Sequence, residues 1–334
     1  MTVRIAIDAM GGDSRPDPAI GASRILVESE DVEILLVGDS ALLDGRVEDS
    51  TGRVHVVHAG SVVGMNESAS VALKRKPDSS IAVAMRLVKE GRADAVISPG
   101  NTGATMACAV MGLGRLKGVK RPAITTILPT GIHPIIVLDV GANVDCRPEM
   151  FVDFGIMGTV YAEEVLGREN PRVGLLSNGT EDTKGNEQTK AAFKLLADAP
   201  VNFAGNMEGR QVFGGEYDVV TCDGFVGNVL LKFGEATTLH IYSELKDQIE
   251  RAAQANVETA GVLRDFFECM FRKMDHEEYG GAPLLGVDGI CLVCHGGASA
   301  RAIANAARSA IASLKQNVNQ RIVERLSPIG ASLG

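Results

Sequence analysis

The chain has 334 residues, 45% hydrophobic and 22% charged, the balance of a globular protein with a substantial core. Its formal net charge of −9 argues against nucleic acid as a partner, since phosphate-backbone affinity needs a strongly basic face, and no apolar run approaches the roughly 20 residues of a membrane span. The six cysteines are scattered as reduced thiols are, and the N-terminal MTVRIAIDAMGG lacks a secretory h-region, so a soluble, intracellular, cytoplasmic protein is expected.

In chain order, β-branched runs predict strands at Val3–Ile7, Glu33–Val37, His55–His58, Ala95–Ile97, Ala123–Leu128, Ile135–Leu138, Arg172–Leu176, Tyr217–Thr221 and Ile290–Val293. Helical stretches between them run over Ala19–Glu28, Ser80–Glu90, Met150–Leu166, Glu187–Ala197, Val226–Ile249 and Ala298–Leu314. Several strands are apolar on both faces, as strands covered by helices on each side are. The alternation predicts an α/β fold with a doubly wound, mainly parallel sheet and right-handed crossovers. No repeat or Pro/Ser-rich linker divides the chain, so residues 1–334 read as one domain.

One segment departs from that rhythm. From about residue 239 to 278 there is no strand; Tyr242, Leu245, Ile249 and Ala252 follow helical spacing, and so do Val262, Leu263, Phe266, Phe267, Met270, Phe271 and Met274. This predicts a projecting helical pair that reverses near Ala255–Gly261. Its apolar stripe serves a core or dimer contact, or a lipid or carrier surface, because Arg264, Arg272 and Lys273 flank Phe266, Phe267 and Phe271 as in an interfacial helix.

The strand ends carry the chemistry. IAIDAMGGD closes the first strand on Asp8, Gly11, Gly12 and Asp13. AVISPGNTGAT supplies Asn101, Thr102 and Gly103; IIVLDVGANVD supplies Asp139, Gly141 and Asn143; VGLLSNGTEDTKGNE supplies Gly179, Thr180, Glu181 and Lys184. YDVVTCDGFVGNVLLK adds Asp223, Gly224, Gly227 and Asn228, and GICLVCHGGASA adds His295, Gly296 and Gly297. Each of these six corners passes from a strand into a helix. In a parallel sheet such ends share one edge, where close-approaching amides and helix N-termini make an anion site. A phosphate or another small oxyanion is the expected ligand.

Competing motifs are missing. There is no G-x-x-x-x-G-K-[ST], no G-x-G-x-x-G after the first strand, no G-x-S-x-G and no H-E-x-x-H, and no histidine starts the H-x-x-x-x-D pattern of glycerol-phosphate acyltransferases. CLVCH spells a c-type haem attachment, but Cys291 and Cys294 lie in an apolar strand and their odd spacing sends them to opposite faces, so structural thiols are expected. No cofactor, no metal and no covalent nucleophile are predicted.

Taken in order from Ile5 to Ser309, the motifs DAMGGD, GNTGAT, LDVGANVDCRPE, EDTKGNE, DGFVGNVLLK, YGGAPLLGVDG and HGGASARAI make the chain resemble the PlsX family of bacterial phosphate acyltransferases. One departure stands in LLSNGTEDTKG, where an asparagine is expected at Ser177 rather than at Asn178. The resemblance implies transfer of a long-chain acyl group from acyl carrier protein to inorganic phosphate. The acyl phosphate so formed is the donor for a membrane glycerol-3-phosphate acyltransferase. It also implies a fold related to phosphotransacetylases and isopropylmalate-type dehydrogenases, a homodimer, and peripheral contact with the cytoplasmic membrane surface.

Under that resemblance Lys184 binds phosphate and screens its repulsion from the developing oxyanion. Asn101, Thr102, Asn143 and Asn228 donate or orient hydrogen bonds, and Gly11, Gly12, Gly103 and Gly224, with Gly141 and Gly179, let amides approach. Asp8, Asp13, Asp139 and Asp223 orient Lys184, His295 or amides, or accept a proton from phosphate. An acidic carrier protein needs a local cationic landing, for which Lys74–Lys76, Arg115–Arg121 and the Arg264/Arg272/Lys273 face are the candidates. A phosphotransacetylase acting on short acyl-CoA and a catalytically silent membrane scaffold are the alternatives.

Overall fold

Two blocks of parallel strands, running in opposite directions, share one sheet. The computed structural model describes residues 2–47, 50–255, 261–264, 266–267 and 278–332. Among these, β1 (Val3–Asp8), β2 (Val32–Gly38), β3 (Val54–His58), β4 (Ala95–Ser98), β5 (Ala123–Leu128), β6 (Ile135–Leu138), β7 (Arg172–Leu176), β8 (Asn202–Met207), β9 (Val219–Thr221), β10 (Ala282–Leu285) and β11 (Ile290–Val293) form an 11-stranded sheet. Their order is β3-β2-β1-β4-β11-β10-β5-β6-β9-β7-β8.

The strands β3, β2, β1, β4 and β11 are parallel to one another, and so are β6, β9, β7 and β8. Between the blocks the pairings β11–β10, β10–β5 and β5–β6 are all antiparallel. Three reversals leave the second block pointing opposite to the first. The cause is connection length. Pro129–Pro134 between β5 and β6, and Gly286–Gly289 between β10 and β11, are hairpin loops. A parallel crossover needs about a dozen residues or more.

The fold class is as expected, but the six corners do not share one edge. The ends of β1, β4 and β11 lie on one edge, and those of β6, β9 and β7 face the other way. Strand–helix alternation by itself does not reveal where a short hairpin inverts the sheet.

The helices are α1 (Asp17–Ser29), α2 (Ser40–Leu43), α3 (Ala69–Arg75), α4 (Ser80–Lys89), α5 (Thr102–Gly112), α6 (Pro148–Glu164), α7 (Glu187–Ala197), α8 (Gly224–Ala255), α9 (Ala300–Lys315) and α10 (Val318–Ser332). On one face of the first block, α1 and α9 bury Ile20, Leu26, Ile303 and Ala307 against Ile5, Ile7 and Ile97. On the other face α4 and α5 bury Met85, Leu87, Cys108 and Ala109 in a core that reaches Val137 and Val220 of the second block. The remaining core is built around α6, whose Phe151, Phe154, Met157 and Tyr161 pack against Leu138, Val173 and Val219. Because α6 is buried on nearly every side, its sequence is apolar nearly throughout and carries little helical periodicity.

Cys291 and Cys294 fall into cores on opposite faces of the sheet, as their spacing requires. Sequence reading passed over β8 and β10. NFAGNM is polar, and Gly205 (φ 93°) accompanies a register shift against β7, while APLL is short and carries a proline.

The helical pair is present as far as it is described. Helix α8 runs 32 residues, residues 261–264 and 266–267 are helical, and the Phe267 ring stacks on Tyr242 at 5.4 Å. Phe267 is therefore buried, whereas Phe266, Val262 and Arg264 are exposed. Phe271, Arg272 and Lys273, and most of the expected reversal, lie outside the described residues.

Candidate active site

The first edge is a knot of backbone. Asp8 ends β1 buried, its Oδ1 accepting from the amide of Met10 (3.2 Å) and its Oδ2 from the Ser98 hydroxyl (3.0 Å). Burial pushes its carboxyl above the ordinary range, opposed by these donors and by others from Ser80 and Gly11. A Cβ on Gly11 would stand 2.7 Å from the amide nitrogen of Gly100, and one on Gly12 (φ 82°) 2.7 Å from the carbonyl oxygen of Gly296. The amide of Asp13 donates to that same carbonyl (2.8 Å). Glycine is thus what lets the β1, β4 and β11 corners touch.

Asn101 has a different task from the one expected. Its Oδ1 caps α5 at the amide of Ala104 (2.9 Å), and its Nδ2 faces the carbonyls of Met65 (2.7 Å), Glu67 (3.0 Å) and Gly64 (3.3 Å). It straps the 64–67 segment across the edge, which leaves no free donor for a ligand. His295 Nδ1 accepts from the amide of Gly297 (3.1 Å). Thr102, Gly103 and Asp13 are exposed at the rim.

The second edge is organised by Asp139, which is fully buried. Its Oδ1 accepts from the amides of Ile124 (3.0 Å), Gly141 (3.2 Å) and Ala142 (3.0 Å); its Oδ2 accepts from the amide (2.6 Å) and the Nδ2 (3.0 Å) of Asn143. Burial raises its pKa and those donors oppose the rise. Both oxygens are occupied, so Asp139 shapes the loop and does not face a ligand. Asn143 Nδ2 also donates to the carbonyl of Pro122 (2.8 Å), tying the segment before β5 to this corner.

The β9 corner locks onto it. The amide of Gly224 donates to the carbonyl of Asn143 (2.7 Å), and Asp223 Oδ1 accepts from the amide of Val226 (2.8 Å) in the first turn of α8. A Cβ on Gly227 would lie 1.9 Å from the carbonyl oxygen of Asp139. Gly227→Ala accordingly pushes α8 off the strand end and lowers stability by about 2–3 kcal/mol in chemical denaturation. An unshifted midpoint contradicts this packing. Asn228 is exposed beside Gly141, whose φ of 139° requires glycine.

At the β7 corner, Asn178 Oδ1 accepts from the amide of Gly185 (2.8 Å) and Asn206 Nδ2 donates to the carbonyl of Glu181 (2.7 Å), folding the loop that presents Lys184. The Lys184 stem lies over Gly179, where a Cβ would meet its Cγ at 2.6 Å. Its ammonium is exposed, with no hydrogen-bond or ion-pair partner among the described residues. Ser177 Oγ is buried with no hydrogen-bond partner among the described residues, where the expected asparagine would have stood.

Of the expected cationic landings, Lys76 pairs with Glu67 (2.6 Å) and Lys120 with the buried Asp153 (3.0 Å), while Arg115 bonds the carbonyls of Val119 and Lys120. Arg121 and Arg147 line the same cavity as Asn143, and their guanidinium groups have no ion-pair partner among the described residues; an arginine directly before the Pro148 that starts a helix is a readable sign of a cation at that helix N-terminus. The five cysteines among the described residues are buried, and burial pushes Cys108 up to about 11 and Cys146 and Cys294 up to about 12. None is a ready thiolate nucleophile.

A family profile described as "fatty acid synthesis protein" matches residues 3–321. The chain is 46% identical over 333 residues to a phosphate acyltransferase of Moorella thermoacetica, covering 99% of this chain and 97% of that one. In fold it is similar to the EutD phosphotransacetylase of Staphylococcus aureus (TM-score 0.61, 14% identity, 94% of each chain). It is also similar to a branched-chain phosphotransacylase of Enterococcus faecalis V583 (TM-score 0.58, 14% identity, 94% of this chain and 99% of that one).

Proposed function

The chain belongs to the PlsX family of phosphate acyltransferases, and from that membership we propose that it transfers a long-chain acyl group from acyl carrier protein to inorganic phosphate. The near-full-length likeness to phosphate acyltransferases carries the assignment. Phosphate is already an anionic oxygen nucleophile at neutral pH, and the departing thiol, with an ordinary pKa of about 8.5, leaves as thiolate. A strong base and a covalent nucleophile are therefore unnecessary. What the protein must supply is orientation and charge for the oxyanion that forms as a phosphate oxygen attacks the thioester carbonyl.

The second edge has the parts for this. The exposed ammonium of Lys184 has no partner among the described residues, the exposed Asn228 stands beside Gly141 in the first turns of the 32-residue α8, and Asp139 holds the loop rigid. The first edge offers the carboxylates of Asp8 and Asp13 and one imidazole, a poorer place for a phosphate. The assay is thiol release from palmitoyl-acyl carrier protein with and without inorganic phosphate, the acyl phosphate being trapped as hydroxamate. Release that requires phosphate supports the reading; release only from acetyl-CoA makes the protein a phosphotransacetylase, and none from either makes it a scaffold.

The protein acts as a homodimer at the cytoplasmic membrane surface, where its product meets the glycerol-3-phosphate acyltransferase. What supports this is the outer face of α8, where Phe225, Val229 and Phe233 repeat at helical spacing and are all more than half exposed, with the exposed Leu239 on the same side. Among the described residues no helix is long and apolar enough to cross a membrane. Phe233→Asp weakens self-association by about 100-fold or more, since the ring is buried once in each copy. Sedimentation reads this as a shift to monomer; an unshifted dimer removes this face from the interface.

A further inference from the structure

A cavity of about 840 Å³ opens beside the β6 corner, with Lys184 not among the residues that line it. Lys120 and Arg121 line it from the segment before β5, Asn143 and Asp145 from the corner itself, and Arg147 and Glu149 from the start of α6. Lys120 is already bound, its amide to Asp153 Oδ2 (2.8 Å) and its ammonium to Oδ1 (3.0 Å). Arg121, Arg147, Asp145 and Glu149 have no ion-pair partner among the described residues.

Both guanidinium groups stand on fixed backbone. The bond from Asn143 Nδ2 to Pro122 O anchors the residue after Arg121, and Arg147 is the N-cap of a 17-residue buried helix whose positive end adds to the field. A four-oxygen anion is far smaller than this space. Two arginines for an ester phosphate, with carboxylates able to accept from amide N–H or hydroxyl groups, describe a longer ligand. The geometry points to a site for a phosphopantetheine-type arm, the phosphate-bearing chain shared by carrier protein and coenzyme A. Arg121 and Arg147 hold its phosphate, and Asp145 and Glu149 face its amides and hydroxyl. This rests on the acyl-transfer reading and adds how the thioester is delivered to the second edge.

The test compares the wild type with the double variant Arg121→Met/Arg147→Met on three palmitoyl thioesters: of carrier protein, of coenzyme A, and of N-acetylcysteamine, which has no phosphate. Both arginines are exposed, so the fold tolerates the change. For the two phosphate-bearing donors, kcat/KM relative to the truncated thioester falls by about tenfold or more per guanidinium, and Arg→Lys at both sites restores part of it. Equal losses on all three donors, a loss with carrier protein alone, or a rise in KM confined to inorganic phosphate each overturns the assignment. Calorimetry with 4′-phosphopantetheine gives an independent readout: the wild type binds it and the double variant does not. Should the wild type release no thiol, the acyl-transfer reading fails while this binding still decides the cavity.

Discussion

Lys184→Ala lowers the rate of phosphate-dependent thiol release by about 100-fold or more, the size of effect seen when one preorganised charge or donor at a developing oxyanion is removed. The fold is unaffected, because the ammonium is exposed and has no partner among the described residues. Lys184→Arg keeps the charge and recovers part of the rate, with KM for phosphate raised because the cation moves outward. Steady-state kinetics at saturating palmitoyl-acyl carrier protein read both variants. A near-wild-type rate for the alanine variant removes Lys184 from the chemistry and moves the reaction away from the β7 corner.

Asp139→Asn has the largest effect on stability. The carboxylate accepts five hydrogen bonds, four of them from backbone amides on both sides of the β6 end. An asparagine keeps the shape but turns an NH2 group toward one set of those amides. Leaving two or three buried donors without an acceptor costs about 1–3 kcal/mol each, so a loss of about 3–6 kcal/mol is expected. That is a large part of the 5–15 kcal/mol typical of folded proteins. Chemical denaturation measures it, and activity falls with it because Gly141, Asn143 and Gly224 lose their common anchor. A variant as stable as the wild type contradicts the role of Asp139 as the organiser of this edge.

Much of this was legible in the residues. The apolar runs placed β1, β4, β7 and β11 to within a residue, and the Gly/Asn/Asp corners stand at strand ends, because a chain leaving a strand for a helix needs short side chains there. What the residues hid was direction. The six residues of Pro129–Pro134 are too few for a crossover, and that clue outweighs the strand–helix rhythm; once β5 and β6 form a hairpin, Asp139, Asp223 and Lys184 part company with Asp8, Asn101 and His295. Residue type also concealed task. Asn101 and Asp139 have the side chains of ligand-binding residues, but their hydrogen bonds go to the protein's own backbone, and only three-dimensional neighbours such as the Met65 carbonyl and the Ile124 amide reveal it. The cation at Arg147 was overlooked because a single arginine inside an apolar and acidic stretch forms no charge run. It gains meaning beside Arg121, 26 positions earlier, which the Asn143 bridge to Pro122 holds at the same cavity.

The central claim is direct attack of phosphate on the carrier thioester, with no acyl-enzyme between them. Rapid mixing of the protein with a small excess of palmitoyl-acyl carrier protein, in buffer free of phosphate, tests it most directly. The account predicts no burst of thiol, since the buried, pKa-raised cysteines among the described residues offer no nucleophile, and steady release once phosphate is added. A stoichiometric burst without phosphate contradicts it and identifies a covalent intermediate.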